Sequence, residues 1–306
     1  MDNKDLELLA TLNSHGRWDI DQIGDRIGIS PGNVSRRIRL MKKEGILEGF
    51  SAFLDRRMFG YDTSYLKSHM DVKGRDKTLG KILSMPQVAS VYPNMDDFAL
   101  VEVIHWDMQS LESAIRAVER ITKPMTVSAV YTPRFPDVVP DPPKGRELKI
   151  LLSLVTEGRI TSEKLGGEVG IDPGQVEESI RRMMDSGIMR IKPLLREGLI
   201  QPCPCFTILV WLDECSDIGT ATSSLLKLAK GRWDHLLFDN PSGIWIKFFG
   251  EDLFAMDHSL ERLRREKNVD DLMVIMPDGV EYDRKPDINL LKRYMKSGPE
   301  GEMGLL

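Results

Sequence analysis

One segment of this chain is written twice. Residues 23–47, IGDRIGISPGNVSRRIRLMKKEGIL, return as residues 165–189, LGGEVGIDPGQVEESIRRMMDSGIM, at a constant offset of 142. Identities fall at Gly24/Gly166, Gly28/Gly170, Ile29/Ile171, Pro31/Pro173, Gly32/Gly174, Val34/Val176, Ile38/Ile180 and Gly45/Gly187. The shared positions are mostly glycine, proline or apolar, the types that set turns and packing. The positions that differ carry charge, and charge sets what a surface binds. Such a repeat predicts two copies of one structural unit.

The grammar of each copy is that of a helix-turn-helix. Asp2 is placed to cap a helix carrying Leu6, Leu8, Leu9 and Leu12 at helical spacing. A second helix is expected from Asp19 to Arg26, with Ile20, Ile23 and Ile27 facing inward. Gly28 suits the left-handed turn that follows, which glycine enters without steric cost. Ser30 and Pro31 then read as the cap and first position of a third helix, buried through Val34, Ile38 and Met41 and ended by Gly45. Residues 46–54 read as a short β element, the candidate wing.

The outer face of the third helix holds Asn33, Ser35, Arg36, Arg37, Arg39, Lys42 and Lys43. Asn and Arg suit base edges, while Ser, Lys and further Arg suit phosphates. Residues 31–43 contain five basic residues and no acid. The matching 173–185 contain Glu177, Glu178 and Asp185 against Arg181 and Arg182, three minus against two plus, a net of −1. Ser35 and Arg36 have become Glu177 and Glu178, a carboxylate pair that repels a phosphate backbone. The first copy therefore reads as a binder of double-stranded DNA. The second reads as a spacer or a docking surface for a protein partner.

After each copy comes a βαββαβ order, the ferredoxin-like plait. The first runs as strand 65–72, helix 77–84, strands 87–92 and 98–104, helix 111–121 and strand 126–131. The second runs as strand 206–212, helix 218–230, strands 233–238 and 244–249, helix 253–266 and strand 272–276. The fold class is thus α+β, two winged helix-turn-helix units each followed by a plait. The expected domains are 1–60, 61–135, a Pro-rich linker at 136–146, 147–200, 201–280 and a C-terminal helix and tail at 281–306. A tail helix is expected from Asp287 to Met295.

The formal charge of −5 excludes a diffusely basic coat but not a local basic patch. There is no apolar run of about 18 residues and no signal-peptide pattern, so no membrane role and a cytoplasmic location are expected. Cys203, Cys205 and Cys215 are too few for a disulfide framework, and Cys203-Pro-Cys205 lacks the second pair of a zinc site. No metal, no cofactor and no catalytic residue are assigned. Trp211, Trp233 and Trp245 read as core anchors of the second plait or as an aromatic platform for a ligand.

Residues 1–60 with their following plait resemble the leucine-responsive regulator (Lrp/AsnC) family, in an archaeal-type tandem arrangement. The likeness is carried by LELLATLNSHGRW and by IGDRIGISPGNVSRRIRLMKKEGILEGF; 147–276 resemble it as a diverged second copy. The resemblance implies transcription regulation, plait-paired dimers and amino-acid effectors at plait interfaces. It places DNA contacts on Asn33, Ser35, Arg36, Arg37 and Arg39. Between strands two and three, where members carry a Gly turn and Tyr/Phe-Asp, this chain has NMDDFAL and NPSGIWI. Asn94, Asp96 and Asp97 are the candidate effector ligands, although hairpin tips also favour Asp and Asn for turn chemistry. Pairing the plaits within one chain would make a pseudo-dimer with one basic helix, so a homodimer is expected. Siroheme decarboxylases resemble the same architecture, but their histidine motifs find no match among His15, His69, His105, His235 and His258. The expectation is therefore a regulator, with a protein-interaction adaptor or a decarboxylase-like enzyme as alternatives.

Overall fold

The computed structural model describes residues 1–70, 74–94, 98–128, 130–131, 141–200, 205–213, 218–228, 233–239, 243–249, 253–266, 268–275 and 281–297. The first half comprises α1 Asn3–Ser14, α2 Ile20–Ile27, α3 Pro31–Lys43 and β1 Leu47–Leu54, then β2 Asp62–His69, α4 Arg75–Leu83, β3 Val88–Pro93, β4 Phe98–His105, α5 Met108–Glu119, β5 Lys123–Ser128 and β6 Val130–Tyr131. The second comprises α6 Arg146–Thr156, α7 Ser162–Val169, α8 Pro173–Asp185 and β7 Met189–Leu195, then β8 Cys205–Leu212, α9 Ile218–Leu228, β9 Trp233–Asp239, β10 Gly243–Phe249, α10 Leu253–Arg264, β11 Val269–Ile275, β12 Glu281–Tyr282 and α11 Lys285–Ser297. The class is α+β.

Local chemistry sets the boundaries. Asp2 and Asp19 each form a capping box, with Asp5 and Gln22 returning the bond. Gly28 and its counterpart Gly170 leave α2 and α7 with φ of 70° and 74°, a region costly for any residue with a Cβ. Ser30 and Asp172 then cap α3 and α8, each opened by proline. One expectation fails here: Ile20 is exposed at the first turn of α2, and only Ile23 and Ile27 carry the buried stripe.

The strand after each helix-turn-helix is not a hairpin wing. β1 pairs antiparallel with β7, from Leu47 opposite Leu195 to Leu54 opposite Met189. This two-stranded ribbon fuses the two units, and their apolar side chains form one core running from Leu6 and Leu9 through Phe50 and Ala52 to Leu151, Ile180 and Ile191. Two glycine–arginine steps at the same offset of 142 seal the joint reciprocally. Arg17 donates to the carbonyls of Gly158 and Ile160 at 3.4 and 3.2 Å; Arg159 donates to those of Gly16 and Trp18 at 2.6 and 3.1 Å. The Arg159 guanidinium also lies 4.1 Å over the Phe50 ring. Desolvation, aided by repulsion from Arg17, lowers its pKa to about 10, which leaves it charged at neutral pH. A Cβ on Gly16 would sit 2.1 Å from the Ile191 carbonyl oxygen, and one on Gly158 would sit 2.8 Å from the Ser51 nitrogen.

The plaits are paired in the same reciprocal manner. The first sheet has strand order β12-β3-β4-β2-β5 and the second β11-β8-β10-β9-β6. β5 stays on its own sheet beside β2, whereas β6 crosses to β9 of the other half. β12 crosses in return, setting Glu281 and Tyr282 opposite Val91 and Ser90. The single last strand expected over 126–131 is therefore two, one for each sheet. Between the sheets lie Tyr65, Phe98 and Leu100 against Leu209 and Trp245. Each sheet's other face is closed by its own helices, through Leu79, Ile82 and Leu111 in the first half and Leu225, Leu260 and Leu263 in the second.

The tail helix α11 ties the layers together. Leu290 and Leu291 join the helix-turn-helix core, and Asp287, 1% exposed, accepts from Arg56 Nε at 2.7 Å. Arg56 reaches Glu102 of β4 at 2.6 Å and Thr63 at 3.1 Å, while Ser90 donates to the other Glu102 oxygen. Burial alone would raise the Glu102 carboxyl, but Arg56 and Ser90 hold it below its ordinary value. Its contribution is therefore present above the ordinary carboxylate pKa and lost as pH falls through the lowered one. Glu102→Gln leaves a buried guanidinium with one carboxylate. A loss of about 3 kcal/mol is expected at pH 7, with a shallower acid limb than wild type in chemical denaturation from pH 7 to 3. Gly16→Ala should cost about 2 kcal/mol or more through overpacking, read in the same assay.

Candidate nucleic-acid interface

α3 presents a basic face interrupted by the exposed Leu40. Val34 and Met41 are buried and Ile38 is half-buried, so the helix turns Asn33, Arg36, Arg39, Lys42 and Lys43 outward, all exposed. Among the described residues no ion pair engages Arg36, Arg39, Lys42 or Lys43. These four cations on two turns, without an acid among them, make a surface suited to a polyanion.

Two residues assigned to that face are placed otherwise. Arg37 points back to α1, donating to Asp2 at 2.8 and 2.9 Å and to Asp5 at 2.5 Å. Its bond lowers the Asp2 carboxyl pKa, and the two carboxylates raise that of Arg37. Its charge is thus matched twice within the unit, and it fixes α3 against α1 rather than offering a free cation. Ser35 is half-buried beside it. Helical spacing alone could not show this, because the capping carboxylates that capture Arg37 stand more than thirty residues away in sequence.

The second unit repeats the scaffold with different surface chemistry. Gln175, Glu178 and Arg181 of α8 are exposed where α3 has Asn33, Arg36 and Arg39. Glu177 behaves unlike its neighbour: it accepts from Arg17 at 2.9 Å and from the Ser162 hydroxyl. Desolvation opposes its charge, but those two partners prevail and hold its carboxyl below the ordinary range. The two carboxylates of the acidic pair expected as a docking surface are both exposed but differ in pairing: Glu177 is bonded across the joint between the units, and Glu178 is in no ion pair among the described residues. Arg182 pairs with Glu147 at 2.6 Å.

Of the effector candidates, Asn94 is less exposed than a hairpin tip suggests. Asn94 is 4% exposed, its N–H bonded to Phe98 O at 3.0 Å and its carbonyl accepting from Arg75. The first bond joins the facing ends of β3 and β4, and the second ties α4 to the end of β3. Asp96 and Asp97 lie outside the described residues. His69 and His105 occupy neighbouring strands but opposite ends, facing Phe98 and Asp62 respectively. His105 Nε2 lies 2.9 Å from Ser64 Oγ, and desolvation outweighs the nearby Asp62 to lower its pKa. Trp245 and Trp211 belong to the layer between the sheets, while the Trp233 side chain lies outside the described residues. Among the described residues no helix is long and apolar enough to cross a membrane, and no group of three His, Cys, Asp or Glu is placed to hold a metal.

A family model for winged helix-turn-helix DNA-binding units matches residues 1–48 and again 145–188. Curated relatives match the first half. The HTH-type transcriptional regulator Ptr1 of Methanocaldococcus jannaschii is 27% identical over 113 residues, covering 36% of this chain and 76% of its own length. Regulatory protein AsnC of Haemophilus influenzae is 25% identical over 150 residues, 46% of this chain and 98% of its own length. Among solved structures, the siroheme decarboxylase NirDL superposes over 96% of this chain and 99% of its own, with a TM-score of 0.53 and 16% identity. That likeness shows the tandem fold alone. Arg37→Ala should lower the melting temperature by several degrees, from a loss of about 1–2 kcal/mol. The same substitution should leave the salt dependence of nucleic-acid binding unchanged, measured by fluorescence anisotropy at several salt concentrations.

Proposed function

Because this chain is a member of the Lrp/AsnC family, we propose that it is a DNA-binding transcription regulator that seats α3 in the major groove. The observation that carries the reading is the cationic face of α3, where Arg36, Arg39, Lys42 and Lys43 are exposed and in no ion pair among the described residues. Asn33 and Arg36, at the N-terminal end of the helix, are suited to base edges, and Arg39, Lys42 and Lys43 to phosphates. Arg37 acts as a positioning residue through Asp2 and Asp5. The plaits hold the two halves of one chain together, and two copies of the chain assemble on an operator, each bringing its own α3.

The reading is of a regulator rather than an enzyme. The curated relatives named above are called regulators, and the resemblance to a decarboxylase is one of fold, which does not carry chemistry by itself. Fluorescence anisotropy with the DNA upstream of the chain's own coding region is the direct test. The wild type should bind in a sequence-dependent way, with affinity falling at a slope of about −0.9 per phosphate contacted. Arg36→Ala/Arg39→Ala should weaken binding at least tenfold and make the slope shallower by about two, with the melting temperature unchanged. A folded wild type that ignores DNA at low salt would remove this reading and favour the adaptor or tetrapyrrole alternatives.

A further inference from the structure

Resting on that reading, we propose that α8 reads a second, chemically different half-site on the same DNA, with Glu178 as its specificity-determining residue. The two helix-turn-helix units cannot move independently. The β1–β7 ribbon, the shared core and the reciprocal Arg17 and Arg159 bonds fix α8 relative to α3. The carbonyl bonds of Arg17 and Arg159 across the joint are matched at the repeat's offset, so the two units are related as the two halves of a helix-turn-helix dimer. In such dimers the recognition helices face DNA about one helical turn apart. An α3 in the groove brings α8 to the next one.

The acidity of α8 does not keep it off the duplex. Only one of its two adjacent carboxylates is uncommitted, since Glu177 is matched by Arg17 and Ser162. Within the exposed face, which also carries Glu177, Arg182 and Asp185, the residues Gln175, Glu178 and Arg181 form a stripe at spacings of three residues that is neutral in itself. It occupies the positions of Asn33, Arg36 and Arg39, which sum to plus two. Gln is suited to adenine, Arg to guanine or a phosphate, and a glutamate accepts from the N4 amine of cytosine. A neutral stripe adds little affinity but discriminates between bases, because a carboxylate placed against guanine O6 or thymine O4 meets an acceptor rather than a donor. α3 supplies the electrostatic grip and α8 the asymmetry, so the site read by one chain is non-palindromic.

The test is selection of binding sites from duplexes with a fixed α3 half-site and a randomised flank, using the full chain as wild type, Glu178→Ala and Arg36→Ala/Arg39→Ala. Wild type should enrich cytosine at one position about one helical turn, about 10 bp, from the α3 half-site. That preference should be about tenfold. Glu178→Ala should abolish it while keeping the α3 half-site and the melting temperature. A flank with no preference in wild type, or a preference that Glu178→Ala leaves intact, overturns the proposal while the regulator reading stands. Absence of selected sequence with wild type, or selection unaffected by Arg36→Ala/Arg39→Ala, overturns both.

Discussion

The antiparallel pairing of β1 with β7 is the contact on which the rest depends. Each strand follows a unit of three short helices, and the apolar side chains of the two units merge into one core. Bringing the strands together lets α1 lie against β7 and α6 against β1, so each unit is completed by the other. The approach is close enough to require glycine at positions 16 and 158, where a side chain would enter the opposing backbone. The arginines that follow those glycines then satisfy carbonyls across the seam, where burial would leave unpaired acceptors costly. Backbone, core and hydrogen bonding all meet at this one ribbon.

The paired plaits extend the same logic. A lone sheet of this kind has one bare face, and here each covers the other through Tyr65, Phe98, Leu209 and Trp245. Exchange of β6 and β12 between the sheets adds main-chain bonds to the side-chain contact. The buried Arg56, with Glu102 on one side and Asp287 on the other, joins the helix-turn-helix layer to the first plait and to α11. Charge buried in that way specifies an arrangement more than it stabilises one, since the desolvation cost offsets much of the Coulombic gain.

Much of this was legible in the amino-acid order, and the exceptions share a cause. The repeat at 23–47 and 165–189, the Gly28 and Gly170 turns, and the βαββαβ order are local features, written in spacing and turn chemistry. What could not be read was which strand pairs with which across more than a hundred residues. β1 has the pattern of any short strand, and nothing in it names β7 as its partner. The glycine–arginine steps at 16–17 and 158–159 did hold a signal, because they share the repeat's offset just outside its most similar stretch. On the candidate site, the outward face of α3 followed from helical spacing. The capture of Arg37 by Asp2 and Asp5, and of Glu177 by Arg17, did not, since ion pairing between distant elements depends on the assembled packing.

Fusion of the two halves also changes what one substitution can do. In a dimer of identical chains every altered residue appears on both sides of the axis, so a change helpful on one side is imposed on the other. A single chain that contains both sides escapes that degeneracy. Its halves are held at fixed one-to-one stoichiometry and pair without any dependence on concentration, so neither can be diluted away from the other. Mixed assemblies of mismatched halves are avoided for the same reason, and the two sides are free to carry unequal chemistry on a common frame.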